Sequence, residues 1–403
     1  VILGSSSANL APTVNRSVIM GNEAGRGTTS SNYTNAVFIG YQAGYSNTTG
    51  GNNVFMGTYA GRYNTTGESN VFMGNQAGYY QTDGRENIYI GYQSGLNNKS
   101  GKYNVCLGSV TGKGNLETSY SSCVYIGRQA GLTSTGDNNT AIGTFAGGSG
   151  NISGSGNVLL GYTTAQNMDG NYSNNTYIGA GACLTYGGQG NNNTVLGYEA
   201  GESMRGSNNV LIGYQAGYSL NGSNKLYIAN SSSTPLIWGD FYYGQVAING
   251  TNTNDYNLYV NGRAGGSFAW NSLSDQRLKT NVKPLQGALQ SILKLQGVTF
   301  NWKDETDHRP GQNIGFIAQD VKEILPEIVS GGGKDEQGNE IYYSIEYATL
   351  TPVLVEAIKE LNNENKGLNE AIKELNTVNK EQQELINKLI EELKTIKEQI
   401  KTK

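Results

Sequence analysis

A serine stands five residues ahead of a lysine in the stretch Ser274-Asp275-Gln276-Arg277-Leu278-Lys279-Thr280-Asn281. Peptide cleavage needs a nucleophile, a base and something to steady the oxyanion. The chain has one histidine, His308, in the polar segment Asp307-His308-Arg309-Pro310. A Ser-His-Asp triad would have to use it, and a short polar loop is a poor place for one. A lysine can act as the base instead, provided burial and a neighbouring cation lower its pKa. Lys279 is that lysine and Arg277 the candidate cation. Alone, Ser-Asp-x-Arg-x-Lys also reads as a solvated turn before a helix.

The composition breaks at the same place. Up to Trp270 the chain holds 11 basic and 11 acidic residues, and the remainder holds 17 and 21. The second part therefore carries the whole net charge of −4. That balance gives no reason to expect nucleic acid or an anionic membrane as partner. No run of 18 apolar residues exists, so no membrane insertion is expected. The chain opens at Val1 with no basic or apolar leader and is expected to be a piece of something longer. Cys106, Cys123 and Cys183 lack metal-ligand spacing and read as small buried side chains. No cofactor and no metal are expected.

Ahead of the junction a motif Asn-Ø-x-Ø-Gly-x-x-Ala-Gly, with Ø apolar, recurs to about residue 230. Its anchor glycines run from Gly4, Gly21, Gly40 and Gly57 to Gly197 and Gly213, at spacings of 16 to 19 residues. A fixed short period marks a repeat architecture. The unit is too rich in Gly, Asn and β-branched residues to be helical. Segments such as Asn53-Val54-Phe55-Met56-Gly57 alternate like a strand. Gly44, Gly61, Gly78 and Gly131 suit positive φ or a close backbone approach. The asparagines before each strand supply turn chemistry. One unit is too small to bury its own core, but stacked units can share one. The expected object is a slender β-roll or β-prism rod. These repeats are similar to the left-handed β-roll heads of trimeric autotransporter adhesins, whose units are somewhat shorter. Trimeric intertwining would account for coils this short. Tyrosines often follow the anchor glycine (Tyr41, Tyr92, Tyr162, Tyr198, Tyr214); a ladder along equivalent rungs is favoured over sugar stacking. Acids are scattered singly, as Glu23, Glu68, Asp83, Glu117, Asp137, Asp169 and Glu199, and nothing forces the carboxylate pair a glycosidase needs.

Beyond the repeats, Leu226–Ala229, Leu236–Phe241, Val246–Gly250 and Asn257–Ala264 read as short strands of a connector. After the junction, Ile292-Leu293-Lys294-Leu295-Gln296-Gly297-Val298-Thr299-Phe300-Asn301-Trp302 reads as helix then strand. Ile314-Gly315-Phe316-Ile317-Ala318-Gln319-Asp320-Val321, Leu325-Pro326-Glu327-Ile328-Val329 and Ile345-Glu346-Tyr347-Ala348-Thr349-Leu350 follow. From Ser274 to about Leu361 these segments, in this order, resemble the intramolecular chaperone of endosialidase-type phage tailspikes and tail fibres, peptidase family S74. The resemblance implies Leu273–Ser274 as the cleaved bond, Ser274 as nucleophile and Lys279 as base. Asp275, Arg277 and Asn281 match the motif as supports. Gln319 and Tyr347 read as fold residues.

From Leu354 the chain follows a heptad pattern. Leu354, Leu361, Leu368, Leu375, Gln382, Leu389 and Ile396 take one core position; Ile358, Asn365, Ile372, Asn379, Ile386, Leu393 and Ile400 take the other. Ile at a with Leu at d favours a dimer by rule, whereas the resemblance implies a trimer.

The expected fold is mainly β: a repetitive trimeric β-roll or β-prism rod over 1–222, then a connector over 223–273. A small α+β chaperone domain over 274–353 and a coiled coil over 354–403 complete it. The expected function is the C-terminal region of a trimeric phage tail fibre or tailspike. It would reach a host-surface glycan or protein receptor in the extracellular virion, joined to other tail proteins upstream. Its chaperone would drive trimerisation and folding in the host cytoplasm and leave by one autoproteolytic turnover. A bacterial surface adhesin or an injection-system fibre could use the same modules. A polysaccharide depolymerase is the more distant alternative.

Overall fold

Each sequence repeat becomes one coil of a β-solenoid. In this computed structural model the described residues are 1–11, 13–115, 119–184, 190–253, 256–262, 264, 273–303, 311–334 and 340–401. The chain divides into two compact units, Val1–Arg263 and Ala264–Lys403.

In the first unit a two-residue strand, Ile2–Leu3, is followed by one three-residue ladder strand per coil, with a second short pair, Thr13–Asn15 and Asn32–Thr34, beside the first coils. From Val18–Met20 to Val210–Ile212 these strands pair parallel and in register, each residue beside its counterpart in the next coil. The middle residue of each strand points inward. Phe38, Phe55, Phe72 and Tyr89 are completely buried, and their rings stack face to face at 4.8–4.9 Å. That is the spacing of neighbouring strands, so the side-chain column and the backbone ladder share one period. The alanine of each Ala-Gly pair closes the core from the far wall: Ala43, Ala60 and Ala77 are fully buried. Cys106, Cys123 and Cys183 are buried in the same core, outside any disulfide, and burial pushes the Cys106 and Cys183 thiols up.

The single chain closes each coil on itself. Intertwining of three chains, expected from the short period, is therefore not what makes a coil this small possible. A column of small alanines against a column of rings fills the narrow section completely. Two glycines per coil permit it. Gly57 sits at φ +137°, where a Cβ would lie 2.5 Å from the Gly74 carbonyl oxygen. Gly61 sits at φ +57°, where a Cβ would lie 2.7 Å from the Phe55 ring.

The asparagine stretch before each strand does two jobs, of which the sequence reading named one. The first residue takes a left-handed turn, as at Asn52, φ +57°, and Asn192, φ +60°. The second is buried and forms a ladder inside the rod. The Asn70 Oδ1 accepts from the Asn87 backbone N–H at 3.0 Å and from the Asn87 Nδ2 at 3.0 Å. The Asn87 Nδ2 also donates to the Gly101 carbonyl at 2.8 Å, and the Asn87 Oδ1 accepts in turn from Asn104. Buried polar groups are tolerated when satisfied in this way.

The expected connector strands form as Lys225–Ile228, Ile237–Asp240, Gln245–Ile248 and Leu258–Val260. The first continues the parallel ladder; the second runs antiparallel to both the first and the third, and the fourth pairs parallel with the third. Lys225 and Asp240 form an ion pair inside this turn.

The second unit holds α1 (Ala288–Lys294), α2 (Ala318–Ile324) and α3 (Leu350–Lys401). Two small antiparallel pairs accompany them, Val298–Phe300 with Asn313–Gly315 and Val329–Ser330 with Ser344–Ile345. Ala288, Leu289, Val321, Leu325, Ile328, Leu350, Val353 and Ala357 make its core. The long helix starts four residues before the heptad pattern, because its first two turns are packed into this core. The pattern is then carried on one uninterrupted 52-residue helix. At about 1.5 Å per residue that helix is about 78 Å long.

Candidate functional site

The junction octapeptide folds into one short turn. Asp275 caps it: its Oδ1 accepts from the Arg277 backbone N–H at 2.9 Å, and Gln276–Leu278 make a single 3₁₀ turn. Aspartate is a favoured cap because its carboxylate takes an otherwise orphaned N–H. The same carboxylate receives the Arg277 guanidinium in a fork, Nε to Oδ1 at 3.0 Å and Nη2 to Oδ2 at 2.7 Å. The Arg277 side chain, and then its backbone N–H, hold the Asp275 carboxyl below its usual range.

One tight turn shortens the path between Ser274 and Lys279. The Lys279 Nζ donates to the Ser274 Oγ at 2.6 Å. The two residues expected to form a nucleophile and its base are thus within hydrogen-bond reach. Leu273, on the N-terminal side of the bond expected to be cut, is 85% exposed. Asn281 closes the segment in the left-handed region at φ +55°, a conformation asparagine tolerates better than most residues.

Arg277 pairs with Asp275, so its charge is committed to that carboxylate rather than standing as a lone cation beside Lys279. Lys279 is also exposed in the single chain. The fork geometry of arginine matches a carboxylate two residues away, and that pairing wins. His308 lies outside the described residues. Gln319 is exposed, and the Tyr347 hydroxyl accepts from the Phe316 backbone N–H at 2.9 Å, a contact within the fold.

A residue that the sequence reading did not single out is Glu360 on α3. Its Oε2 accepts from the Leu289 N–H at 2.7 Å and its Oε1 from the Ala288 N–H at 3.2 Å. It thereby caps α1 from a distance of 71 residues in sequence. The Leu289 N–H is the main cause that lowers the Glu360 carboxyl below its ordinary value. No local spacing signals such a long-range cap.

On the rod, the five tyrosines after the anchor glycines are at the surface rather than in the core. Of these, Tyr198 and Tyr214 stack at 5.7 Å. Glu23 and Glu199 are each held by a glutamine of the next coil, Gln42 at 2.5 Å and Gln215 at 2.8 Å. Among the described residues no cluster of three or more metal-ligating side chains occurs, and no helix is long and apolar enough to cross a membrane.

A β-solenoid thus precedes, in the chain, a small α+β domain that ends in a long helix. Residues 274–330 match the peptidase S74 family, described as the chaperone of endosialidase, and the chain carries a domain of that family. The chain is also similar to long tail fibre proteins Gp37. It is 37% identical to that of Enterobacteria phage K3 over 99 residues, which are 24% of this chain and 8% of that protein. With the phage T2 protein it shares 37% over 99 residues, 7% of that protein, and with the phage M1 protein 35% over 98 residues, 38% of that protein. The chain thus spans well under half the length of these relatives.

Proposed function

We propose that this chain is part of a trimeric phage tail fibre that attaches the virion to a host surface. Residues 274–403 assemble three chains in phase, and the bond Leu273–Ser274 is then cut once. The observation that carries the cleavage reading is the 2.6 Å contact between Lys279 Nζ and Ser274 Oγ at the first residue of the chaperone domain. The neutral Lys279 amine takes the Ser274 hydroxyl proton as Oγ attacks the Leu273 carbonyl carbon. The proton passes to the Ser274 nitrogen as the C–N bond breaks, leaving an ester that water hydrolyses. The net reaction consumes one water and yields a carboxylate on Leu273 and a free amine on Ser274. Asp275, with Arg277 and Asn281, holds the turn that brings the dyad together.

Two exposed apolar faces support self-association. On α3 the heptad stripe is uncovered: Ile372 is 53% and Leu389 51% exposed. On the rod the first and third residues of each strand point outward, giving a largely aliphatic face (Val54 and Met56, Ile88 and Ile90, Val124 and Ile126) that Thr140, Thr176 and Thr194 interrupt. Large contiguous apolar faces of soluble proteins mark interaction surfaces. Folding in the host cytoplasm and action outside the cell follow from the same reading.

The test is intact-mass spectrometry of the freshly expressed chain. Wild type splits into residues 1–273 and 274–403, and Ser274→Ala and Lys279→Ala remain whole. A cut elsewhere, or wild-type cleavage in either variant, overturns the dyad.

A further inference from the structure

We propose that one edge of the rod, from Arg26 to Asp169, is a binding site for a carbohydrate chain. The edge follows the residue after the second glycine of each coil, which an alanine precedes in most coils and Ser94 or Thr111 in two. Arg26, Tyr45, Arg62, Tyr79, Leu96, Lys113 and Leu132 occupy equivalent places on successive coils. Each passes its carbonyl to the preceding coil: Gly27 to Tyr45 at 3.0 Å, Ser46 to Arg62 at 3.0 Å, Tyr63 to Tyr79 at 3.1 Å, Asn97 to Lys113 at 2.8 Å.

At one end the side chains form a fixed aromatic and guanidinium lattice. The Arg62 guanidinium lies over the rings of Tyr45, Tyr59, Tyr63 and Tyr79 at 4.9–5.7 Å. It donates to the Tyr63 and Tyr79 hydroxyls at 2.7 and 2.9 Å, and to the Gln42 Oε1 at 2.8 Å. Tyr63 and Tyr80 run parallel at 5.5 Å on adjacent coils. Tyr41 and Tyr63 remain 42% and 38% exposed. Rings locked in place offer amphipathic contact area with little rotamer entropy left to lose.

Three coils along, the same edge opens into a groove of about 530 Å³, the size of an ordinary ligand cleft. Asn97, Lys113, Asn115, Thr133, Asn151 and Asp169 line it. Asn97 is 8% exposed and is fixed by its bond to the Gly114 carbonyl at 3.1 Å. Amides, a hydroxyl, a cation and a carboxylate around one groove suit a ligand rich in hydroxyls. The core of a protein interface is instead apolar and depleted of charge. A carbohydrate chain has both features this edge offers to meet: apolar C–H surface for the tyrosine rings, and hydroxyls for the groove. The edge is separate from the outward strand face, so self-association through that face leaves it open.

The inference gives the attachment reading a ligand class and rests on it; cleavage and chaperone activity are read by mass and gel, so the two fail separately. The probe is a printed array of neutral and acidic bacterial polysaccharides, read with the labelled full-length Ser274→Ala chain. The expected result is binding to a defined subset, lowered about tenfold or more by Tyr63→Ala with Tyr80→Ala. An independent variant, Lys113→Ala with Asn151→Ala, changes only groove side chains and should lower binding to the same subset. Melting temperature and oligomer mass should match the parent for both. Absence of any array signal overturns the proposal. So does binding that both variants retain, attachment to cells that persists with the array blank (a protein ligand), or a loss of oligomer mass in the variants (an edge covered by another copy).

Discussion

A hydroxyl and an amine 2.6 Å apart can do covalent chemistry only if the amine can give up its proton. Lysine meets that condition when desolvated, whereas arginine stays protonated throughout the accessible range. Lys279→Arg should therefore leave Leu273–Ser274 uncut while preserving the contact to the Ser274 Oγ. Asp275 acts one step back, through the turn. Asp275→Ala removes the cap and frees Arg277, so Ser274 and Lys279 should meet less often. Cleavage followed by densitometry should slow by about tenfold or more. A rate unchanged from wild type would show that the turn holds its shape without the carboxylate.

At the scale of elements, two devices couple parts of the chain that sequence keeps apart. One is the buried asparagine ladder. Asn87→Ala leaves the buried Asn104 backbone N–H without its acceptor and removes one of the two side-chain donors on the Gly101 carbonyl, and should cost about 1–3 kcal/mol of rod stability. The ladder has one natural break. At Cys123 the next donor, the Asn139 backbone N–H, finds only a sulfur at 3.4 Å. Cys123→Asn should restore the ladder and raise stability by about 1 kcal/mol, read as a higher melting temperature. The other device is Glu360 on α1. Its carboxyl is lowered in the folded unit from its ordinary 4.5. Its contribution is therefore complete above about pH 4.5 and is lost as pH falls through the lower folded value. Glu360→Ala should lower the melting temperature of residues 274–403 near neutral pH, and the difference from wild type should close in acid. A difference that stays constant with pH would assign the effect to packing.

The whole molecule has a problem of phase. Coils of nearly equal sequence can stack one step out of register with little loss, and the outward aliphatic face repeats with the same period. On the proposed function, three chains brought together by α3 would start in phase. A chain stopped at Leu273 lacks that start. It should aggregate or give mixed oligomers, because exposed strand edges and faces recruit one another. Rod released from the full-length precursor has the same covalent sequence and should run as a trimer on size exclusion and on an unheated detergent gel. The same resistant trimer in equal yield from the truncated chain would reassign residues 274–403 to docking or receptor binding. If the dyad cuts, the proposed trimer would have to supply the burial that Lys279 lacks in the single chain. Charging the outward face with Ile90→Glu and Ile126→Glu should thus weaken the trimer of the rod.

The sequence by itself determined the period, the strands, the junction and the helix. Each is a local property: glycine spacing, side-chain alternation, a six-residue motif and a heptad all act within a few residues of chain. The positions of Ser274 and Lys279 were legible for that reason, because one capped turn joins them. Tertiary structure decided which side of each strand faces in. The pattern Val54-Phe55-Met56 alternates equally well either way, and only a facing wall of alanines makes room for the ring and turns the aliphatics outward. It also decided that the second asparagine is a core residue, since its partners lie one coil away. The cap from Glu360 and the edge from Arg26 to Asp169 are decided in the same way. Each depends on distances in space that sequence separation does not encode.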